Sequence, residues 1–260
     1  MQITMLGTGH GKAVNCYNYC FLMRFNNTNL LVDSGGGVQI IKQLKNINMS
    51  VEDIDNVFIS HAHMDHILGL IWIIRFLCPK YYNKIINKKV NIFGNKEVIE
   101  KIKKILKLLI PNDFETVIND NFIFIELADN QCLNLADVKM IVFDIKSKNI
   151  KEFGFLMEYK DKKIIYLGDE KFNELNEKYI KNCDYAFMDA RDITNPINSL
   201  HSTIEYSAKV AQKYNVKNLI LSHSNDNDIL NRKELFTNEA SKYYNGNIFV
   251  PNDMERINIG

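Results

Sequence analysis

Six consecutive residues, His61-Ala62-His63-Met64-Asp65-His66, hold three of the six histidines in the chain and a carboxylate. They follow Val57-Phe58-Ile59-Ser60, an apolar run of the kind that forms a buried central strand. Alternate residues of an extended chain point the same way, so His61 and His63 share one side. Asp65 and His66 fall on the turn into Met64–Leu77, whose pattern predicts a helix. Imidazole nitrogens and a carboxylate brought to one place are the donors that divalent metals such as zinc take. The fold must therefore deliver a strand end to a metal centre.

The rest of the chain is consistent with a large α/β scaffold. Its 260 residues, 46% hydrophobic and 24% charged, suit one globular domain spanning residues 1–260. Strand-like segments at Ile3–Leu6, Tyr17–Phe25 and Leu30–Val32 precede a helical stretch from Val38 to Leu44. Ser50-Val51-Glu52-Asp53 has the spacing of a capping box. Further strands are expected at Val90–Phe93, Phe122–Glu126, Lys139–Phe143, Phe155–Tyr159, Ile164–Leu167, Tyr185–Met188 and Leu219–Ser222. Helices are expected at Asn95–Leu109, Thr203–Tyr214 and Arg232–Tyr244.

Other classes are disfavoured. Cys16, Cys20, Cys78, Cys132 and Cys183 are odd in number and lack a CxxC pair, which points to free thiols. No basic leader precedes an apolar run, and no uncharged apolar stretch reaches about 18 residues, so a cytoplasmic protein without a membrane anchor is expected. Net charge is +1. The lysines between Lys80 and Lys107 fit the solvated face of a helix better than a phosphate-binding surface.

Three more segments carry a resemblance. Leu31-Val32-Asp33-Ser34-Gly35-Gly36-Gly37 is a strand ending in an aspartate before a glycine turn. Ile164-Ile165-Tyr166-Leu167-Gly168-Asp169 and Leu219-Ile220-Leu221-Ser222-His223 are apolar strands ending in an acid and a histidine. Together with the HxHxDH segment, in this order, they resemble the metallo-β-lactamase superfamily. The resemblance implies a four-layer αββα sandwich. It implies two metal ions, zinc first, with manganese or iron also compatible. His61 and His63 would hold the first ion, Asp65, His66 and His223 the second, and Asp169 would bridge them. Asp33 would orient ligands by hydrogen bonds, and Asp65 would also serve catalysis.

One expected ligand is missing. The family supplies a third histidine to the first ion from a strand end before the bridging aspartate, yet no histidine occurs from Ile67 to Leu200. Lys146 occupies the corresponding place in Phe143-Asp144-Ile145-Lys146. Either the first site is weakened, or Lys146 contributes charge or a hydrogen bond to the substrate.

Leu200-His201-Ser202-Thr203-Ile204-Glu205 narrows the branch. Ser202 and Glu205 fit a capping box, which sets His201 just before a helix. This arrangement, followed by the strand to His223, resembles ribonuclease Z-like phosphodiesterases, in which such a histidine stabilises or protonates the departing oxygen. The short span from Lys146 to Asp169 leaves no room for a tRNA-binding arm. The implied activity is hydrolysis of a small phosphodiester such as a cyclic nucleotide, with nucleic acid a weaker candidate. A lactonase or thioesterase would use the same metals, and a degenerate binding module would explain the missing histidine. A homodimer is compatible with the resemblance.

Overall fold

The computed structural model describes residues 1–193, 200–227 and 229–260. Among these residues two seven-stranded sheets face one another. The first holds β1 (Gln2–Gly7), β2 (Cys20–Phe25), β3 (Thr28–Val32), β4 (Asn56–Phe58), β5 (Val90–Gly94) and β6 (Phe122–Glu126). The second holds β7 (Cys132–Leu135), β8 (Val138–Asp144), β9 (Phe153–Tyr159), β10 (Lys162–Tyr166), β11 (Tyr185–Asp189), β12 (Asn218–Ser222) and β13 (Asn247–Phe249). A last strand, β14 (Arg256–Asn258), returns to the edge of the first sheet beside β1.

The orders are β14-β1-β2-β3-β4-β5-β6 and β13-β12-β11-β10-β9-β8-β7. In the first sheet pairing is antiparallel from β14 to β3 and parallel from β3 to β6. In the second it is antiparallel from β7 to β10 and parallel from β10 to β13.

Helices α1 (Gln39–Asn46), α2 (Met64–Tyr82), α3 (Lys96–Leu109) and α4 (Glu115–Asn121) precede β6; α5 (Glu177–Ile180), α6 (Ile204–Lys213) and α7 (Arg232–Ala240) lie among the later strands. Ile40, Leu44, Leu70, Ile74 and Ile102 from α1, α2 and α3 pack on Leu31, Val57 and Ile92 of the first sheet. Ile204, Ala208 and Phe236 from α6 and α7 pack on Ile165, Ala186 and Leu219 of the second. Between the sheets lie Ile3, Met5, Phe21, Phe58, Phe155, Tyr166 and Phe187, with the Phe58 and Phe155 rings 5.2 Å apart and Phe21 stacked on Phe187 at 4.9 Å.

The layers are thus helix, sheet, sheet, helix, the αββα sandwich. It also explains why the central strands read as unbroken apolar runs. Ile164 and Tyr166 point between the sheets while Ile165 points to the helices, so every position is buried.

Several elements differ from expectation. β7, β13, β14 and α5 are three or four residues long, too short for a periodic signal, and α4 was likewise unread. α2 continues through Pro79 to Tyr82, because a proline near the last turn sacrifices only one helical bond. The helix after His201 is capped by Thr203, whose side chain accepts from the Tyr206 amide at 3.2 Å, and not by Ser202. Ser202 is drawn away: its amide donates to Asp189 at 2.6 Å and its hydroxyl meets Ser207 Oγ at 2.7 Å. The capping box at Ser50 and Asp53 forms. All five cysteines are free. Among the described residues no helix is long and apolar enough to cross a membrane.

Candidate metal centre

The centre gathers where chain leaves the C-terminal ends of the parallel strands, the usual place for sites in such sheets. β3 delivers Asp33, β4 leads to Ser60 and His61, β10 to Asp169, and β12 to His223, while β11 ends at Asp189. The backbone bends sharply at several of these exits. Asp33 and His223 take the left-handed conformation at φ 54 and 58, uncommon for side-chain-bearing residues and typical of functional turns. His63 caps α2, so Asp65 and His66 occupy its first turn.

Buried hydrogen bonds fix how the histidines are presented. Ser60 Oγ donates to the Asp33 carboxylate at 2.9 Å and lies 2.9 Å from His61 Nδ1. With its hydrogen committed, the hydroxyl accepts from Nδ1–H, which leaves the lone pair of His61 on Nε2. His223 Nδ1 is hydrogen-bonded to Asp189 Oδ1 at 3.1 Å, and His66 Nδ1 faces Asp33 Oδ2 at 3.0 Å as a charge contact without hydrogen-bond geometry, so each turns Nε2 inward. Tyr166 completes the support by donating its hydroxyl to Asp33 Oδ2 at 2.7 Å. A carboxylate behind each imidazole is the usual way a protein holds a metal-binding histidine.

The inward atoms converge. His61 Nε2 lies 2.8 Å from His63 Nδ1 and 3.7 Å from Asp169 Oδ2. His66 Nε2 lies 3.3 Å from Asp65 Oδ2 and 3.5 Å from Asp169 Oδ2, and His223 Nε2 lies 3.2 Å from the same Asp169 oxygen. His61, His63 and Asp169 form one set of donors within 4.8 Å of one another, Asp65, His66 and His223 form a second, and Asp169, His201 and His223 form a third. His66 Nε2 and His223 Nε2 are buried with no hydrogen-bonding partner among the described residues. Two orphaned nitrogens facing carboxylates fit a cation between them.

The electrostatics agree. Burial pushes His61 down to about 3 despite the nearby Asp169, so its imidazole is neutral. Burial acts the same way on His66 and His223, but carboxylates overrule it. Asp33 and Asp65 raise His66 well above its usual value, and Asp169 and Asp189 raise His223 to about 9. Burial disfavours ionised Asp65, yet His66 and His223 hold it well below the carboxylate range. A field that keeps protons on two buried imidazoles favours a divalent cation in their place.

His201 stands beside this cluster. Its ring stacks on His223 at 5.2 Å, and its Nδ1 lies 2.6 Å from the Asp169 carbonyl and 3.3 Å from Asp189 Oδ2. Since a carbonyl only accepts, the hydrogen is on Nδ1, and Nε2 is the atom that can gain or release a proton. His201, His223, Asp169, Asp65 and His63 line one cavity of about 590 Å³.

Lys146 does not reach this cavity. Its ammonium pairs with Asp129 at 2.9 Å and Asp144 at 3.3 Å, and the cavity lining excludes it. Two carboxylates outside the cavity lining thus hold the lysine that follows the β8 strand end. Among the described residues, no side chain beyond His61, His63 and Asp169 joins the first set.

Three supporting residues escaped the sequence. Asp189 holds His223, the Ser202 amide and His201 together; its only signal was another strand ending in an acid. Glu152 is fully buried, accepts from the Asp169 amide at 3.0 Å and lies 3.6 Å from His61 Nδ1. Gly168, at φ 67, makes room for it, since a Cβ there would sit 2.0 Å from Glu152 Oε1. His10 lines the same cavity, its ring edge-on to His223.

Comparison with known proteins agrees with this arrangement. The chain is 28% identical to ribonuclease Z of Picrophilus torridus over 99% of its own length and 96% of that protein. It is 26% identical to anti-Pycsar protein Apyc1 of Bacillus phage vB_BsuM-Goe3, covering 87% of this chain and 90% of the relative. Its fold matches the metallo-β-lactamase fold protein YhfI of Bacillus subtilis with a TM-score of 0.82, at 16% identity over 98% of both chains. Human tRNase Z, short form, matches over 100% of both chains with a TM-score of 0.75 and 21% identity. The family model "Anti-Pycsar protein Apyc1" matches residues 1–242. The chain therefore belongs to the anti-Pycsar protein Apyc1 family, among the ribonuclease Z-like members of the metallo-β-lactamase superfamily.

Proposed function

We propose that the protein is a metal-dependent phosphodiesterase whose substrate is a small phosphodiester of the cyclic nucleotide class. The observation that carries this is His201, placed with a donor-ready ring against both Asp169 and His223. A hydrolase that expels an alkoxide is helped by such a proton source beside its metals, whereas a thioesterase, whose leaving thiolate is far less basic, has less need of one. The cavity of about 590 Å³ suits a mononucleotide, within the common range for small-molecule sites. Relatives named ribonuclease Z and anti-Pycsar protein support the same chemistry.

His61, His63 and Asp169 would hold one zinc ion, and Asp65, His66 and His223, with Asp169 shared, the other. When bound, the ions supply Lewis acidity toward the phosphoryl oxygens and ease deprotonation of the attacking water. Asp65, kept ionised and 13% exposed on the cavity floor, accepts the water proton. As the phosphorus–oxygen bond breaks, the imidazolium form of His201 gives its Nε2 proton to the departing oxygen, while Asp169 and Asp189 steady the Nδ1–H that remains. The second donor set, with two carboxylates counting Asp169, is the tighter site.

The test is turnover by purified protein on 3′,5′-cyclic nucleotides, bis(p-nitrophenyl) phosphate, a lactone and a thioester, before and after chelation. Phosphodiester cleavage that disappears with the metal and returns with zinc or manganese is expected. Metal-loaded protein that opens only the lactone or thioester overturns the proposal, and inertness toward all four makes it a binding module.

A further inference from the structure

His10 belongs to none of the donor sets, yet it is held as firmly as a ligand. The loop after β1 is tied to the loop after β12: His10 N donates to Ser224 O at 3.0 Å, Ser224 N to Thr8 O at 3.0 Å, and Val14 N to Asp226 Oδ2 at 2.6 Å. The His10 carbonyl accepts from Ala13 N and from Asn18 Nδ2, each at 3.0 Å. Gly11 lets this loop lean on the site, because a Cβ there would sit 2.9 Å from Asp65 Oδ2. The result sets the His10 ring edge-on to His223 at 6.4 Å, on the cavity wall shared with Lys12, Arg191 and Asn225.

The loop also fixes the tautomer. The Lys12 amide donates to His10 Nδ1 at 3.3 Å, so Nδ1 carries the lone pair and the neutral ring has its hydrogen on Nε2. This is the reverse of His201.

Resting on the phosphodiesterase reading above, we propose that His10 determines specificity, its Nε2–H donating to an oxygen of the sugar or base while the phosphate lies over the histidine–carboxylate cluster. The chemistry recognised is an uncharged oxygen acceptor one nucleoside away from phosphorus. One hydrogen bond of this kind contributes about 1 kcal/mol, and each 1.4 kcal/mol is tenfold in binding.

The experiment compares wild type, His10→Ala and His10→Gln on a 3′,5′-cyclic nucleotide and on bis(p-nitrophenyl) phosphate, which has no sugar or base. His10→Ala is expected to raise KM for the cyclic nucleotide about five- to tenfold with kcat within about twofold. Kinetics on the simple diester and zinc content should stay at wild-type values. His10→Gln, which keeps an N–H donor, should recover part of the affinity. Unchanged KM in His10→Ala, equal losses on both substrates, or loss of zinc each overturn the inference. Wild-type protein that cleaves the simple diester but no cyclic nucleotide overturns the substrate class, and His10's role with it. Wild-type protein that cleaves neither refutes the phosphodiesterase reading itself.

Discussion

Glu152 offers a sensitive test of how the bridging aspartate is held. Its side chain is fully buried, and Oε1 takes the Asp169 amide hydrogen at 3.0 Å. Burial and then the Asp169 charge raise its carboxyl well above the usual range. Glu152→Ala strands a buried amide, at a cost of about 1–3 kcal/mol. The void left behind adds to this, and relief of the unpartnered Oε2 offsets part of it. In a chain of this size, 1 kcal/mol moves Tm by about 2–4 °C, so a fall of about 2–12 °C is expected. Glu152→Gln keeps the acceptor and should stay within about 2 °C by the same scaling. Zinc affinity, measured by competition with a chromophoric chelator, should drop about 10–100-fold in Glu152→Ala and little in Glu152→Gln, as for other residues that brace metal ligands. Wild-type zinc affinity in Glu152→Ala would refute the idea that this contact positions Asp169.

Other outcomes follow from the same geometry. His66→Ala or His223→Ala should sharply lower zinc content by elemental analysis, whereas full stoichiometry in both would refute the donor assignment. His201→Ala should cut phosphodiester turnover about 10²–10⁴-fold with zinc content unchanged; loss of zinc would make it a ligand instead. Lys146→His should change neither zinc stoichiometry nor activity, because Lys146 is engaged by Asp129 and Asp144. A rise toward two ions per chain would show that the loop can swing inward. Free zinc at about 100 times its Kd should raise Tm by about 5–10 °C over chelated protein, from roughly 2.7 kcal/mol of linked binding. An unchanged Tm would mean that the native state gains nothing from the ion.

The parts of this centre visible in the sequence share one property. His61, Asp33, Asp169 and His223 each end an apolar run long enough to be recognised as a buried strand, so position and chemistry were readable together. Asp189 ends such a run as well, but a lone acid has no spacing partner to mark it. Glu152 and His10 are supports set by tertiary contact: the first depends on Gly168 yielding space, the second on a loop bound to Ser224 and Asp226. Sequence offset also cannot see that Asp129, 17 positions away, pairs with the Lys146 ammonium. The same limit moved the helix cap from Ser202 to Thr203, since Asp189 claims the Ser202 amide.

The most direct measurement is incubation of zinc-loaded protein with a 3′,5′-cyclic nucleotide in water enriched in heavy oxygen, followed by mass spectrometry of the product. A nucleoside monophosphate carrying one heavy oxygen on phosphorus is expected, and its formation should cease when the zinc is removed. A fully zinc-loaded protein that leaves the cyclic nucleotide intact would contradict the assignment.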